Sequence, residues 1–151
     1  MTHVYLPFTS KVMRSDFDLA NGDIEVLLVM ASTTADTESD MCFISDITTL
    51  DEFDGANYVR KTLASKTVTS DTGVASDLGR FDAADVVWTA LGAGTRDLTG
   101  AIVYKHVAGA DSDATSPLIT YYDDTLPVTA GGGDVTIEWN ASGLLLIKKP
   151  T

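Results

Sequence analysis

Few residues of this chain are spaced for chemistry. Along Asp111-Ser112-Asp113-Ala114-Thr115, oxygen-bearing side chains recur at alternate positions. A calcium loop begins in this way, because a hard cation gathers carboxylate, hydroxyl and carbonyl oxygens. The glycine that turns such a loop and the distal bidentate glutamate are missing, so a solvated turn is expected and no bound metal. His3 and His106 are far apart, and neither lies in an HExxH or a zinc-type spacing. His106 alternates with Ile102 and Tyr104, as a structural residue on one face of a strand does. The single cysteine, Cys42, excludes an internal disulfide and a cysteine-based zinc site. With Met41, Phe43 and Ile44 beside it, it reads as a buried, inert thiol.

Paired carboxylates occur at Asp51/Glu52, Asp82/Asp85 and Asp123/Asp124. General acid–base work needs such pairs in unequal environments. In a chain this acidic they read more simply as solvated turn residues. Gly92-Ala93-Gly94 and Gly131-Gly132-Gly133 do not sit in a strand-to-helix turn followed by Lys-Ser/Thr, so they cradle no phosphate. There is no GxSxG elbow and no cysteine–histidine motif. No catalytic constellation is read, no enzyme is expected, and no cofactor is called for.

Charge narrows the partners. The chain has 22 acidic against 10 basic residues, a net charge of -12. Nucleic-acid binding needs a positive footprint, so it is not expected. Anionic membranes repel the same charge, and no window approaches the roughly 20 apolar residues of a spanning helix. The opening residues THVYLPFTSK lack a basic segment followed by an apolar one, so no signal peptide is expected. At 151 residues, 44% hydrophobic, with mean hydropathy +0.10, the chain reads as one folded domain.

The elements follow from apolar spacing. Ala101 to His106 and Leu118 to Tyr122 are apolar at nearly every position, β-branched and aromatic, and are joined by a polar turn. Runs of this kind lie in the middle of a sheet with both faces covered, so the pair is read as the core hairpin. Asp23 to Met30 is a third, central strand. Asp134 to Asn140 alternates Val135, Ile137 and Trp139 with polar residues, which predicts one buried and one wet face. Shorter strands are read at Met41–Ile44, Thr62–Ser70, Arg80–Phe81, Val86–Thr89 and Leu144–Ile147. Thr9 or Ser10 is read as capping a helix through Leu19, closed by Asn21-Gly22. Thr49-Leu50-Asp51-Glu52 fits a capping box opening one helical turn. Roughly eight short strands and one or two short helices predict a mainly β fold, an antiparallel β-sandwich or partly closed barrel.

Several of these pieces together resemble a group of small virion proteins encoded in the structural-gene region of tailed bacteriophages. The similarity runs through Phe81 to Thr89 (FDAADVVWT), Ala101 to Lys105 (AIVYK) and Ser116 to Ile119 (SPLI). It continues through Gly132 to Asn140 (GGDVTIEWN) and Gly143 to Leu145, and more loosely through Asp23 to Leu28, Phe43 to Asp46 and Tyr58 to Lys61. The resemblance implies a non-enzymatic building block of the particle, in which Trp88, Trp139 and the turn glycines act as fold determinants. Within that class, a small acidic domain with no catalytic set fits a capsid decoration or cement protein bound to the major capsid protein or other virion proteins, made in the host bacterial cytoplasm and located in the virion. Such proteins are homo-oligomers, with a trimer favoured. A tail, connector or fibre-associated component is the alternative. A carbohydrate- or cell-surface-binding module, using Tyr58, Tyr121 and Tyr122, is a third reading.

The candidate contact residues are at the two ends. Residues 1–8 carry Val4, Tyr5, Leu6 and Phe8, a large apolar area that reads either as an edge strand or as an arm docking on a neighbouring subunit. Lys148 and Lys149 form a small basic patch at the other end.

Overall fold

The computed structural model describes residues 2–14, 16–71, 78–109 and 112–148. In chain order these form β1 (His3–Val4), α1 (Leu6–Met13), β2 (Ile24–Met30), a 3-10 turn (Ile44–Asp46), β3 (Lys61–Thr62), β4 (Thr67–Asp71), β5 (Leu78–Asp82) and β6 (Val86–Trp88). There follow β7 (Leu98–Lys105), α2 (Ser112–Thr115), β8 (Leu118–Tyr122), β9 (Val135–Ile137) and β10 (Leu145–Lys148). The fold is mainly β and antiparallel, as the sequence predicts, and its sheets pack in sandwich fashion without a closed barrel among the described residues.

The three apolar runs become the middle of a five-stranded sheet of order β1-β8-β7-β2-β3. The predicted core hairpin is the β7–β8 pair, with Ile102 opposite Tyr121 and Val103 opposite Thr120. Pleating sends successive side chains to opposite faces. On one face Val26, Leu28 and Val103 meet Phe81 and Leu145 of the sheet β10-β5-β4 and Val86, Trp88 and Ile137 of the β6-β9 pair. On the other face Leu27, Val29, Ile102 and Tyr121 meet Tyr5, Ala35, Ile44 and Ile47. This second cover comes largely from residues 31–50, which contain the 3-10 turn and no strand. Gly100 is required where it stands: a Cβ there would lie 2.4 Å from the Tyr121 hydroxyl.

The alternation at residues 135–139 is present as predicted. Val135, Ile137 and Trp139 are buried, while Thr136 and Glu138 are exposed. Other boundaries differ. The helix starts at Leu6 because Pro7 falls in its first turn, where a missing amide donor costs nothing. It ends at Met13, and Phe17 packs from the following coil edge-on against Phe8. The supposed capping box forms no helix. Asp51 takes a positive φ of 47° and Glu52 bridges Val29. Met41–Ile44 is a single bridge from Phe43 to Pro117 leading into the 3-10 turn. The expected Thr62–Ser70 strand is split into β3 and β4 around Ser65, at φ 51°. The turn expected at Asp71-Thr72-Gly73 lies largely outside the described residues.

Candidate functional site

The first and last strands among the described residues approach each other on one side of the molecule. β1 is the last strand of the five-stranded sheet and β10 an outer strand of the three-stranded one. Between them lies a groove of about 380 Å³ lined by Thr2, Val4, Tyr122, Leu144 and Leu146, among others. Of the candidate contact residues, Val4 therefore lines the groove, and Leu6 on α1 is 60% exposed. Tyr5 and Phe8 correct the arm reading. Both are buried, Tyr5 in the cluster on one face of the central sheet and Phe8 in the cluster on the other. An apolar segment that fills its own core is not free to dock elsewhere. Lys148 closes β10, and Lys149 lies outside the described residues. Further apolar side chains are exposed at Met13, Val68 and Ile147.

The residues singled out as a calcium-like loop have another role. Asp111 lies outside the described residues, and Asp113 sits on α2 with its carboxylate on Arg60, at 2.5 Å from Nη1 and 3.1 Å from Nη2. Arg60 also donates from Nε and Nη2 to Glu52, at 2.8 and 2.6 Å. Glu52 in turn accepts from the Tyr58 hydroxyl at 2.7 Å, and that hydroxyl accepts the Leu28 amide at 3.1 Å. Hydrogen bonds from Arg60 to Glu52, then to Asp113, hold the guanidinium firmly charged. Burial and then the Glu52 charge push the Tyr58 phenol well above its usual range. The expectation of a solvated turn is thus replaced, at Asp113, by a tethered ion pair.

Arg60 stands 5.7 Å from the centre of the Tyr104 ring, and the Tyr104 hydroxyl donates to Glu25 Oε2. Glu25 faces Tyr104 directly across the β2–β7 ladder. One step further along, the His106 amide donates to the Asp23 carbonyl at 2.8 Å. Asp23, Glu25 and His106 thereby gather at one end of the ladder, their nearest ligand atoms all within 4.8 Å of one another. His106 Nδ1 is 3.6 Å from Glu25 Oε2, and the Glu25 side chain is 17% exposed. His106 keeps the strand-aligned position predicted for it, just beyond β7.

Among the paired carboxylates, Asp51, Asp82 and Asp85 accept backbone amides. Asp51 accepts the Ser32 amide at 2.8 Å and pairs with Arg96, whose hydrogen bond holds the carboxyl below its usual range. Glu38 accepts the Thr48 amide at 2.9 Å and is likewise lowered. Asp85 accepts the Trp139 amide at 2.9 Å. Cys42 is half-buried rather than buried. Tyr121 and Tyr122 are 2% and 3% exposed, so their rings are not open to a sugar.

No sequence motif marks the Asp23–Glu25–His106 group. Asp23 and Glu25 show the i, i+2 spacing of one strand face, but His106 joins them only through the β2–β7 register. No family model, curated protein or solved structure matches this chain.

Proposed function

We propose that this chain is a structural building block of a bacteriophage virion, a decoration or cement protein clamped on the assembled head. The observation that carries the reading is the convergence of β1 and β10, each at the edge of its sheet, on one groove that both strands border. A strand at the edge of its sheet is a place where a partner strand can add. Exposed Leu6, Met13 and Ile147 add apolar anchors. The sequence resemblance to phage virion proteins points the same way. One standard interface of about 800 Å² per partner gives no assured affinity. A cement protein gains by touching several capsid subunits at once, which raises the effective concentration of each further contact. The partner is the major capsid protein, and the protein itself acts as a homo-oligomer, a trimer by preference.

Pelleting of the purified protein with assembled heads, with isolated capsid subunits and with tails tests this. Binding to heads alone is the expected result. Leu6→Asp and Ile147→Asp, at exposed positions, are expected to weaken it while leaving the fold intact. Association with tails alone would replace the head assignment by the tail one, and association with neither would end the virion reading.

A further inference from the structure

We infer that Asp23, Glu25 and His106 form a binding site for one divalent transition-metal ion of the zinc class. The donor set is one imidazole nitrogen and two carboxylate groups. That mixture suits zinc, manganese or cobalt, whereas calcium and magnesium favour shells made of oxygen alone. The distances fit. With metal–ligand bonds near 2.0–2.2 Å, two ligands on a tetrahedral ion stand about 3.4 Å apart. His106 Nδ1 and Glu25 Oε2 are 3.6 Å apart. This is too long for a hydrogen bond and close to the edge of a metal tetrahedron. All three ligand atoms lie within 4.8 Å of one another, and Asp23 is exposed, so its short side chain is not locked by packing.

The scaffold is fixed and the supporting contacts are those of a ligand shell. All three residues hang on the paired backbones at the end of β2 and β7, and the Asp23 carbonyl is itself tied to the His106 amide. Glu25 is oriented by the Tyr104 hydroxyl on Oε2 and by Thr62 Oγ1, 3.5 Å from Oε1. Hydrogen bonds of this kind orient coordinating carboxylates. No lysine or arginine among the described residues makes an ion pair with Asp23 or Glu25. The open side toward solvent leaves room for water to complete the coordination.

The test takes the full chain, stripped with EDTA and dialysed, and titrates it with zinc by calorimetry and with cobalt by visible absorption. One saturable equivalent is expected, with a rise in Tm, since an ion that binds only the folded state stabilises it. Loss of an outer-shell partner alone weakens metal sites roughly 10–100-fold. Asp23→Asn, at an exposed position, and His106→Ala are therefore each expected to weaken zinc binding at least about tenfold. Calcium and magnesium should leave Tm unchanged. Absence of saturable zinc or cobalt binding, or wild-type affinity in either variant, overturns the site. Calcium binding as tight as zinc overturns the assigned class of ion.

Discussion

The central sheet is covered on one face by strands and on the other by a segment with none. The strand-covered face is held by side chains with no ionisable group among its central contacts: Val26, Leu28, Phe81, Trp88 and Ile137. The other face is held by Tyr5, Ala35, Ile44 and Ile47 together with a set of carboxylates that accept backbone amides. Glu38 takes the Thr48 amide, Asp46 those of Cys42 and Phe43, and Asp51 that of Ser32. The two covers therefore rest on different physics. Burial is proportional to area and indifferent to pH, whereas an amide held by a carboxylate depends on that carboxylate's charge. Part of the -12 charge does structural work inside one cover layer.

Leu27 and Leu28 allow the sharpest comparison, because they are neighbours on β2, identical in type, both 0% exposed, and on opposite faces. Buried leucine-to-alanine changes cost roughly 2–5 kcal/mol, more where the surroundings cannot collapse. Leu28→Ala faces a layer of paired strands and is expected near the top of that range. Leu27→Ala faces a segment free of strands and is expected to cost at least about 1 kcal/mol less. Urea denaturation of both variants measures the difference. Equal losses would mean that the strand-free cover is as unyielding as the sheets.

The same contrast separates what was legible in the sequence from what was not. β2, β7 and β8 announce themselves because burial on both faces leaves no room for polar residues. β9 does so because its burial is one-sided. The second cover could not be read, since ASTTADTESD carries no periodicity and its order comes from hydroxyl and carboxylate contacts to distant amides. The hydroxyls of Thr9 and Ser10 point to a helix start there, whereas the helix begins at Leu6 with Pro7 in its first turn. The N-terminal apolar residues could be counted but not assigned. Only the fold shows that Tyr5 goes to one cluster and Phe8 to the other. The candidate metal ligands were hidden for a similar reason, since their meeting depends on strand register.

Arg60 sits where the two covers approach each other, linked to Glu52, Asp113 and the Tyr104 ring. Its side chain and that of Glu52 are 25% and 26% exposed, so solvent screens the pair only in part. Arg60→Met is expected to cost about 1–3 kcal/mol, the range for hydrogen bonds to charged groups. Adding Glu52→Gln should cost less than the sum of the two single changes, because each removes the other's partner. A double-mutant cycle by urea denaturation checks this. Additive losses would show that the network is held by its other members and does not couple the two sides.

The smallest effect expected is also the most specific to the strand-free cover. Hydrogen bonds lower the carboxyls of Glu38 and Asp51 in the folded protein. A carboxyl lowered by folding contributes stability that is fully present above its unfolded value, about 3.9 for Asp and 4.3 for Glu. That contribution is lost as pH falls through the folded value. Asp51→Asn keeps a residue that tolerates the positive φ of 47° while removing the charge that holds Arg96. It should cost at most about 1 kcal/mol at pH 7, because the Arg96 side chain is 46% exposed and solvent screens the pair. The deficit should shrink as pH falls through the folded value of Asp51 and the wild-type carboxyl itself becomes protonated. The order of events follows from which face holds the groups. As pH falls through the folded values of the Glu38 and Asp51 carboxyls, the protection of the Ser32 and Thr48 amides against exchange should drop before the fluorescence of Trp88 and Trp139 changes. Both indoles belong to the strand-covered cluster, whereas Ser32 and Thr48 lie in the strand-free cover. If tryptophan emission and loop exchange moved together, the two covers would form a single cooperative unit, and their different chemistry would have no consequence for how the protein opens.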